Sequence, residues 1–186
     1  FCSLDNNLVH KAKKYDLIIG NRFLHHLHNT ENFFLVINEL LRDDAYVFFE
    51  VPDCKRGLVN LDYSILFEEH TIYFTEESLK NFLESRGFEL IWTVDYAFPV
   101  ENSLNILARK KNVLTNNSIL NLDYEIFNRF CNSFPERKTN VINYFSEKFK
   151  EYKIAFFGAG HHCCTFINLF EIEIFLKCVI DDNVNK

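Results

Sequence analysis

The residue types best suited to chemistry fall in three short stretches. Glu69 and His70 are adjacent, and His25, His26 and His28 crowd an earlier loop. An imidazole beside a carboxylate is an acid/base unit that works near neutral pH. The competing account is a loop pair that only caps a helix beginning at Thr75. The crowded histidines raise the question of a metal ion. Side chains of adjacent residues usually point apart, however, and no carboxylate stands at helical spacing from them, so no metal is expected. Glu50 and Asp53 flank Pro52, and a carboxylate there either lines a site or anchors a solvated loop; Glu50 is the better pocket residue. Gly158-Ala159-Gly160 is a partial dinucleotide fingerprint whose third position is Cys163 instead of glycine. Asp181 or Asp182 stands where such a fold meets a ribose hydroxyl.

These residues need elements to hold them. The run YDLIIG, ending at Gly20, reads as a buried strand. Asn29 or Thr30 caps a helix whose stripe is Phe33, Phe34, Ile37, Leu40 and Leu41. Asp43 and Asp44 make a turn into a second buried strand, Ala45 to Val51, which Pro52 ends. A polar loop runs from Asp53 to about Asp62. Thr75 caps a helix carrying Leu79, Phe82 and Leu83, and Gly87 follows its end. Phe88 to Tyr96 and Leu104 to Ala108 read as an antiparallel pair of strands. The polar stretch from Lys110 to about Leu120 marks a domain boundary. Two helices follow, around Tyr124 to Cys131 and from Glu136 to Lys150. Strand Lys153 to Phe157, the glycine turn, helix His162 to Phe170 and strand Phe175 to Ile180 complete the chain. This alternation predicts an α/β fold with a mainly parallel sheet. Ligands of such sheets sit beyond the carboxyl ends of strands, here Gly20 to His28, Glu50 to Asp53, and Gly158 to His162.

Composition narrows the class. The chain has 186 residues, 48% of them hydrophobic, which supports one core and a small second unit. A net charge of -6 and the lack of a basic stripe with interleaved aromatics argue against nucleic acid. No apolar run is long enough for a membrane helix. The six cysteines are scattered without a C-x-x-C pair, so they read as reduced thiols of a cytoplasmic protein and not as a closed zinc site. There is no methionine, so Phe1 is not expected to be the natural start. The 21 phenylalanines imply an aromatic core.

The runs DLIIGNRFLHHL and VFFEVPD resemble the fourth and fifth strands of class I S-adenosylmethionine (SAM) dependent methyltransferases. The segment LFEEHTIYF before TEESLKNFLESRGFEL resembles the sugar C-methyltransferase family, whose motif is Y-H-E-H-x-x-Y-F. ENSLNILARK is similar to that family's G-G-S-L-R strand, and KIAFFGAGHHCCTFINLF with CVIDDN resembles its C-terminal Rossmann-like domain. The resemblance implies the C-terminal half of a class I methyltransferase sheet over 1–110, a helical connector over 111–150, and the start of a second Rossmann-like unit over 151–186. The family's N-terminal zinc domain and cofactor loop would lie outside this sequence.

The same resemblance implies SAM as cofactor and a nucleotide-linked keto-sugar as substrate, methylated on a carbon. His70 becomes the base or proton relay, Glu69 its orienting partner, and His25 a substrate-facing residue. Gly20 and Asn21 fall on the cofactor side, and Glu50, Phe67, Gly158 and Gly160 on the substrate side. Three departures bear on activity: Phe67 replaces a tyrosine, Glu68 a histidine, and Glu101-Asn102 a glycine pair. The alternative from another class is a non-catalytic module that holds a nucleotide or nucleotide sugar at the Gly158 turn. An NAD-dependent oxidoreductase ranks below both.

Overall fold

The computed structural model describes residues 14–67, 69–97, 102–111 and 121–183, with side chains of the last stretch described from Tyr124. Contacts divide the chain into two compact units: residues 1–56 with 69–124, and residues 57–68 with 125–186. Both are built from strands and helices in alternation, the α/β class expected.

In the first unit a four-stranded sheet runs β1-β2-β4-β3. β1 (Tyr15–Asn21) lies parallel to β2 (Leu41–Asp53). β4 (Asn102–Lys110) is antiparallel both to β2 and to β3 (Phe88–Tyr96). The expectation of a mainly parallel sheet is therefore corrected for this unit. The connection between β3 and β4 is too short for a crossover, so β4 must return antiparallel. It enters between β3 and β2.

β2 extends beyond the run read from sequence. It starts at Leu41, and the expected turn at Asp43 and Asp44 is absorbed as an irregularity. Pairing jumps from Tyr15–Leu41 to Leu17–Tyr46, with Asp44 at φ 60. Pro52 does not end the strand. It lies beyond Glu50, the last residue paired to β1, where β2 has one neighbour and a missing donor is tolerated.

Helix α1 (Thr30–Leu40) is capped by Asn29, whose side chain accepts from Asn32 N–H at 2.9 Å. It buries Phe33, Phe34, Val36 and Ile37. The segment read as a polar loop contains a short helix, α2 (Lys55–Asn60). α3 (Glu76–Glu84) starts in a capping box between Thr75 and Ser78 and buries Leu79 and Leu83. Gly87 follows in the left-handed region at φ 85, where a side chain would be strained. The core is aromatic, as composition implies: Phe34 meets Phe33, Phe49, Phe82 and Phe88 edge-on at ring separations of 5.2 to 6.2 Å.

In the second unit α4 (Asn121–Glu151) is one helix where two were expected, and Pro135 lies inside it. Proline forfeits one backbone bond in mid-helix. That bond would have ended on the Cys131 carbonyl; nearby, the Ser133 hydroxyl donates to the Arg129 carbonyl at 2.7 Å and Thr139 Oγ1 to the Pro135 carbonyl at 2.9 Å. Tyr63 packs against Phe130 and gives its hydroxyl to the Phe130 carbonyl at 2.7 Å. β5 (Ile154–Phe157) and β6 (Leu176–Ile180) form a parallel pair, with α5 (His161–Phe170) between them in sequence. Among the described residues no helix is long and apolar enough to cross a membrane.

Candidate functional site

β1 and β2 run side by side, and β1 ends at Asn21, opposite Glu50. Beyond Asn21 the chain reverses through Arg22 at φ 48 and enters a single 3-10 turn, Leu24–His26. Leu24 is wholly buried and anchors that turn in the core. His25 is buried beside it, while His26 is half-buried.

A second segment closes on this turn. Thr71 N–H donates to the His25 carbonyl at 2.8 Å, and Ile72 N–H reaches the same oxygen at 3.3 Å. The Thr71 hydroxyl lies 2.8 Å from the Leu27 carbonyl. In return His26 Nδ1 donates to the Glu69 carbonyl at 2.9 Å. These bonds bring His70 onto the other two rings. Centroid separations are 4.2 Å for His25–His26, 4.5 Å for His25–His70 and 4.9 Å for His26–His70. The expectation that adjacent histidines diverge fails here, because the tight turn tilts both rings toward one point. His28 stays exposed.

Burial chiefly, then the neighbouring His70, His26 and Arg22, pushes the His25 imidazole down to about 3. His25 is thus neutral at physiological pH, and its Nδ1 is a buried atom without a hydrogen-bond partner. Glu50 accepts from the Ser103 hydroxyl at 2.7 Å, and the Arg22 guanidinium stands 3.8 Å away. Asp53 is buried, accepts from Lys55 N–H at 3.1 Å, and is pushed up to about 6, mostly by desolvation.

The other expected site residues fall in varied places. Glu69 is exposed, and it is its main-chain carbonyl that holds His26. Asn21 is exposed at the end of β1. Gly20 is buried, and a Cβ there would stand 2.2 Å from the Phe23 ring and 2.7 Å from Phe49, so its missing side chain makes room for the core. Phe67, Gly158 and Gly160 belong to the second unit. The Phe67 ring lies 3.6 Å from that of His161. Gly158 has φ +95, and a Cβ on either glycine would meet nothing within 4 Å. In that turn Asp181 accepts from Ala159 N–H at 2.5 Å, so the carboxylate expected to face a ribose is engaged by the turn itself. Glu101 and Glu68 lie outside the described residues. A concavity of about 640 Å³ in the second unit, between Leu61, Arg137, Tyr144 and Phe166, has no histidine or cysteine in its lining.

Sequence reasoning missed Arg22, Ser103 and the part of His26. Arg22 directly follows the strand end that was being watched, and Ser103 sits in the strand compared with G-G-S-L-R. The pairing of Ser103 with Glu50 across two strands has no local signal.

The segment that carries β1, β2 and all three clustered histidines has a recognisable pattern. Residues 4–93 match the family model of a methyltransferase domain. The match is just under half of the chain and ends within β3. No curated protein matches. Among solved structures, a Burkholderia thailandensis 1,6-didemethyltoxoflavin-N1-methyltransferase, crystallised with 1,6-didemethyltoxoflavin and S-adenosylhomocysteine, is similar at 21% identity. The match covers 56% of this chain and 48% of that one, with a TM-score of 0.43. The Synechocystis magnesium protoporphyrin IX methyltransferase is similar at 18% identity, 56% and 48% coverage, and a TM-score of 0.40. A SAM dependent methyltransferase from Archaeoglobus fulgidus is similar at 16% identity, 56% and 64% coverage, and a TM-score of 0.39. The chain spans about half the length of the first two.

Proposed function

We propose that this chain is part of a SAM-dependent methyltransferase whose acceptor is a carbon next to the ketone of a nucleotide-linked sugar. The observation that carries the reading is the meeting of His70 with His25 and His26 beyond the end of β1, where it pairs with β2. These residues lie in the stretch that matches a methyltransferase domain. The sugar acceptor rests on the LFEEHTIYF motif.

Carbon methylation beside a ketone needs a base to take the proton and dipoles to hold the enolate. His70 is half-buried, which leaves it reachable by a substrate, and it is assigned as base. The His25 main chain is held by two bonds to its carbonyl, and its buried imidazole is neutral, so it presents a dipole and not a charge. His26 donates from Nδ1 to the Glu69 carbonyl, which fixes the orientation of its ring. Arg22 and Glu50 supply the charged rim.

On the cofactor side, Asn21 is exposed where a ligand of β1 would lie, whereas Gly20 serves the core. SAM, when bound, supplies an electrophilic methyl group; Asn21 and the Arg22 backbone are the described residues fitted to touch it. In the second unit, the open turn of Gly158 and Gly160, with Phe67, is assigned to the nucleotide.

The test is methyl transfer from labelled SAM by the full-length protein to keto-sugar nucleotides, with oxygen and nitrogen acceptors alongside. The reading expects product with a new carbon–carbon bond, and a His70→Ala enzyme slower by about 100-fold or more with SAM affinity kept. Full turnover of His70→Ala removes His70 as base. Transfer only to oxygen or nitrogen removes the sugar-carbon acceptor.

A further inference from the structure

We propose that His25, His26 and His70 form a binding site for a divalent transition-metal ion, with zinc the best match. One ligand nitrogen from each ring lies within 4.8 Å of the other two. A tetrahedral zinc site holds its nitrogens about 3.4 Å apart, from zinc–nitrogen bonds near 2.0–2.1 Å. Small rotations of the rings close that difference. His26 and His70 are half-buried, so the ion has an entry path and a fourth position open to water.

Two further features mark the cluster as built for a ligand. Metal-bound histidines commonly donate their second nitrogen to a carbonyl or carboxylate, which fixes the ring and its tautomer. His26 does this, through Nδ1 to the Glu69 carbonyl at 2.9 Å. His25 is 3% exposed, and its Nδ1 is buried with no hydrogen-bond partner, an arrangement that a bound ion or its ligand water relieves. The backbone bonds from Thr71 and Ile72 to His25 hold the two contributing segments together, although the ligands are 44 and 45 positions apart in sequence (70 - 26 and 70 - 25). Three neutral nitrogen donors select zinc, cobalt, nickel or copper over magnesium or calcium, which need oxygen ligands.

Binding does not depend on the methyl-transfer reading. Its consequence does, and rests on it: an ion on His70 occupies the lone pair that proton abstraction uses, so metal and catalysis exclude one another at this residue.

Cobalt(II) is the probe, since its visible spectrum reports the geometry that zinc hides. Titrated into the whole chain with its thiols reduced, it is expected to saturate at one equivalent. It should show visible bands of a four- or five-coordinate ion without a thiolate charge-transfer band, and zinc should displace it. His26→Ala and His70→Ala should each weaken binding by at least about tenfold, and His28→Ala should leave it unchanged. A saturable site insensitive to both variants, a thiolate band that places the ion on cysteine, or no saturable uptake overturns the proposal. If the variants fail to fold, zinc protection of the unaltered chain against diethyl pyrocarbonate, read residue by residue, decides instead. Protection of His26 and His70 but not His28 supports the site, and equal modification with and without zinc refutes it.

Discussion

Replacing Asp53 by asparagine should make the first unit more stable at neutral pH and progressively less advantaged in acid. Asp53 is 8% exposed at the end of β2, and its carboxyl group is raised from 3.8 to about 6. Burial is the main cause; Asp95 and Glu76 add to it, and the Lys55 amide and ammonium pull against it. The native state therefore binds a proton more tightly than the unfolded chain. Between about pH 4 and 6 the folded state holds more protons, so stability falls as pH rises through that window. Integrating the two titrations from about pH 4.5 to 7.5 gives a loss of about 2 kcal/mol from this one group. Asparagine has no such titration, and its side-chain oxygen can still accept from Lys55 N–H. Urea unfolding followed by Trp92 fluorescence reads the right unit, because Trp92 is the single tryptophan and lies on β3. The gain of Asp53→Asn over the parent should shrink by about 2 kcal/mol between about pH 7.5 and 4.5. Subtraction removes every group common to both proteins. A gain that is constant, or that grows in acid, refutes the assignment of a desolvated carboxylate.

His25 should act with the opposite sign. Its folded value of about 3 lies below the unfolded 6.5, so its contribution is full above about pH 6.5 and is lost as pH falls. The parent should lose about 2 kcal/mol from this group by about pH 5, and His25→Gln should not; parallel pH profiles would sink the claim. Gly20→Ala should cost about 1–3 kcal/mol through overpacking against Phe23 and Phe49, visible as a lower urea midpoint; an unchanged midpoint would show that the rings yield freely. Thr75→Ala should cost about 1 kcal/mol by opening the capping box, and Thr75→Ser should restore most of it; equal stability of all three would mean the box contributes nothing.

Local signals in the sequence were the ones that survived into the fold. Asn29, Thr75 and Gly87 announce helix ends by residue type, and all three act there. The strands after Gly87 were legible, but not the insertion of β4 between β3 and β2, since pairing across 50 residues leaves no periodicity. Pro52 misled because its missing N–H was read as a strand end, whereas β2 has no β1 partner at that position and the missing donor is tolerated. At the candidate site His70 and His25 were found separately. Their meeting depends on Thr71 and Ile72 reaching the His25 carbonyl, and backbone bonds of that kind are invisible in a list of side chains. Gly20, a glycine at a watched strand end, leaves its side-chain space to two phenylalanines, a packing role with no signal in the local sequence.

The Asp181 carboxylate on Ala159 N–H gives the glycine turn of the second unit an internal competitor. A backbone amide that would greet a phosphate is already spoken for, and by a group of the same sign. An incoming phosphate must evict the aspartate and then endure its charge nearby. A sugar hydroxyl meets no such barrier, because it can donate to the carboxylate where it stands. The turn is thus tuned toward the ribose hydroxyls of the nucleotide assigned to it and away from that nucleotide's phosphates.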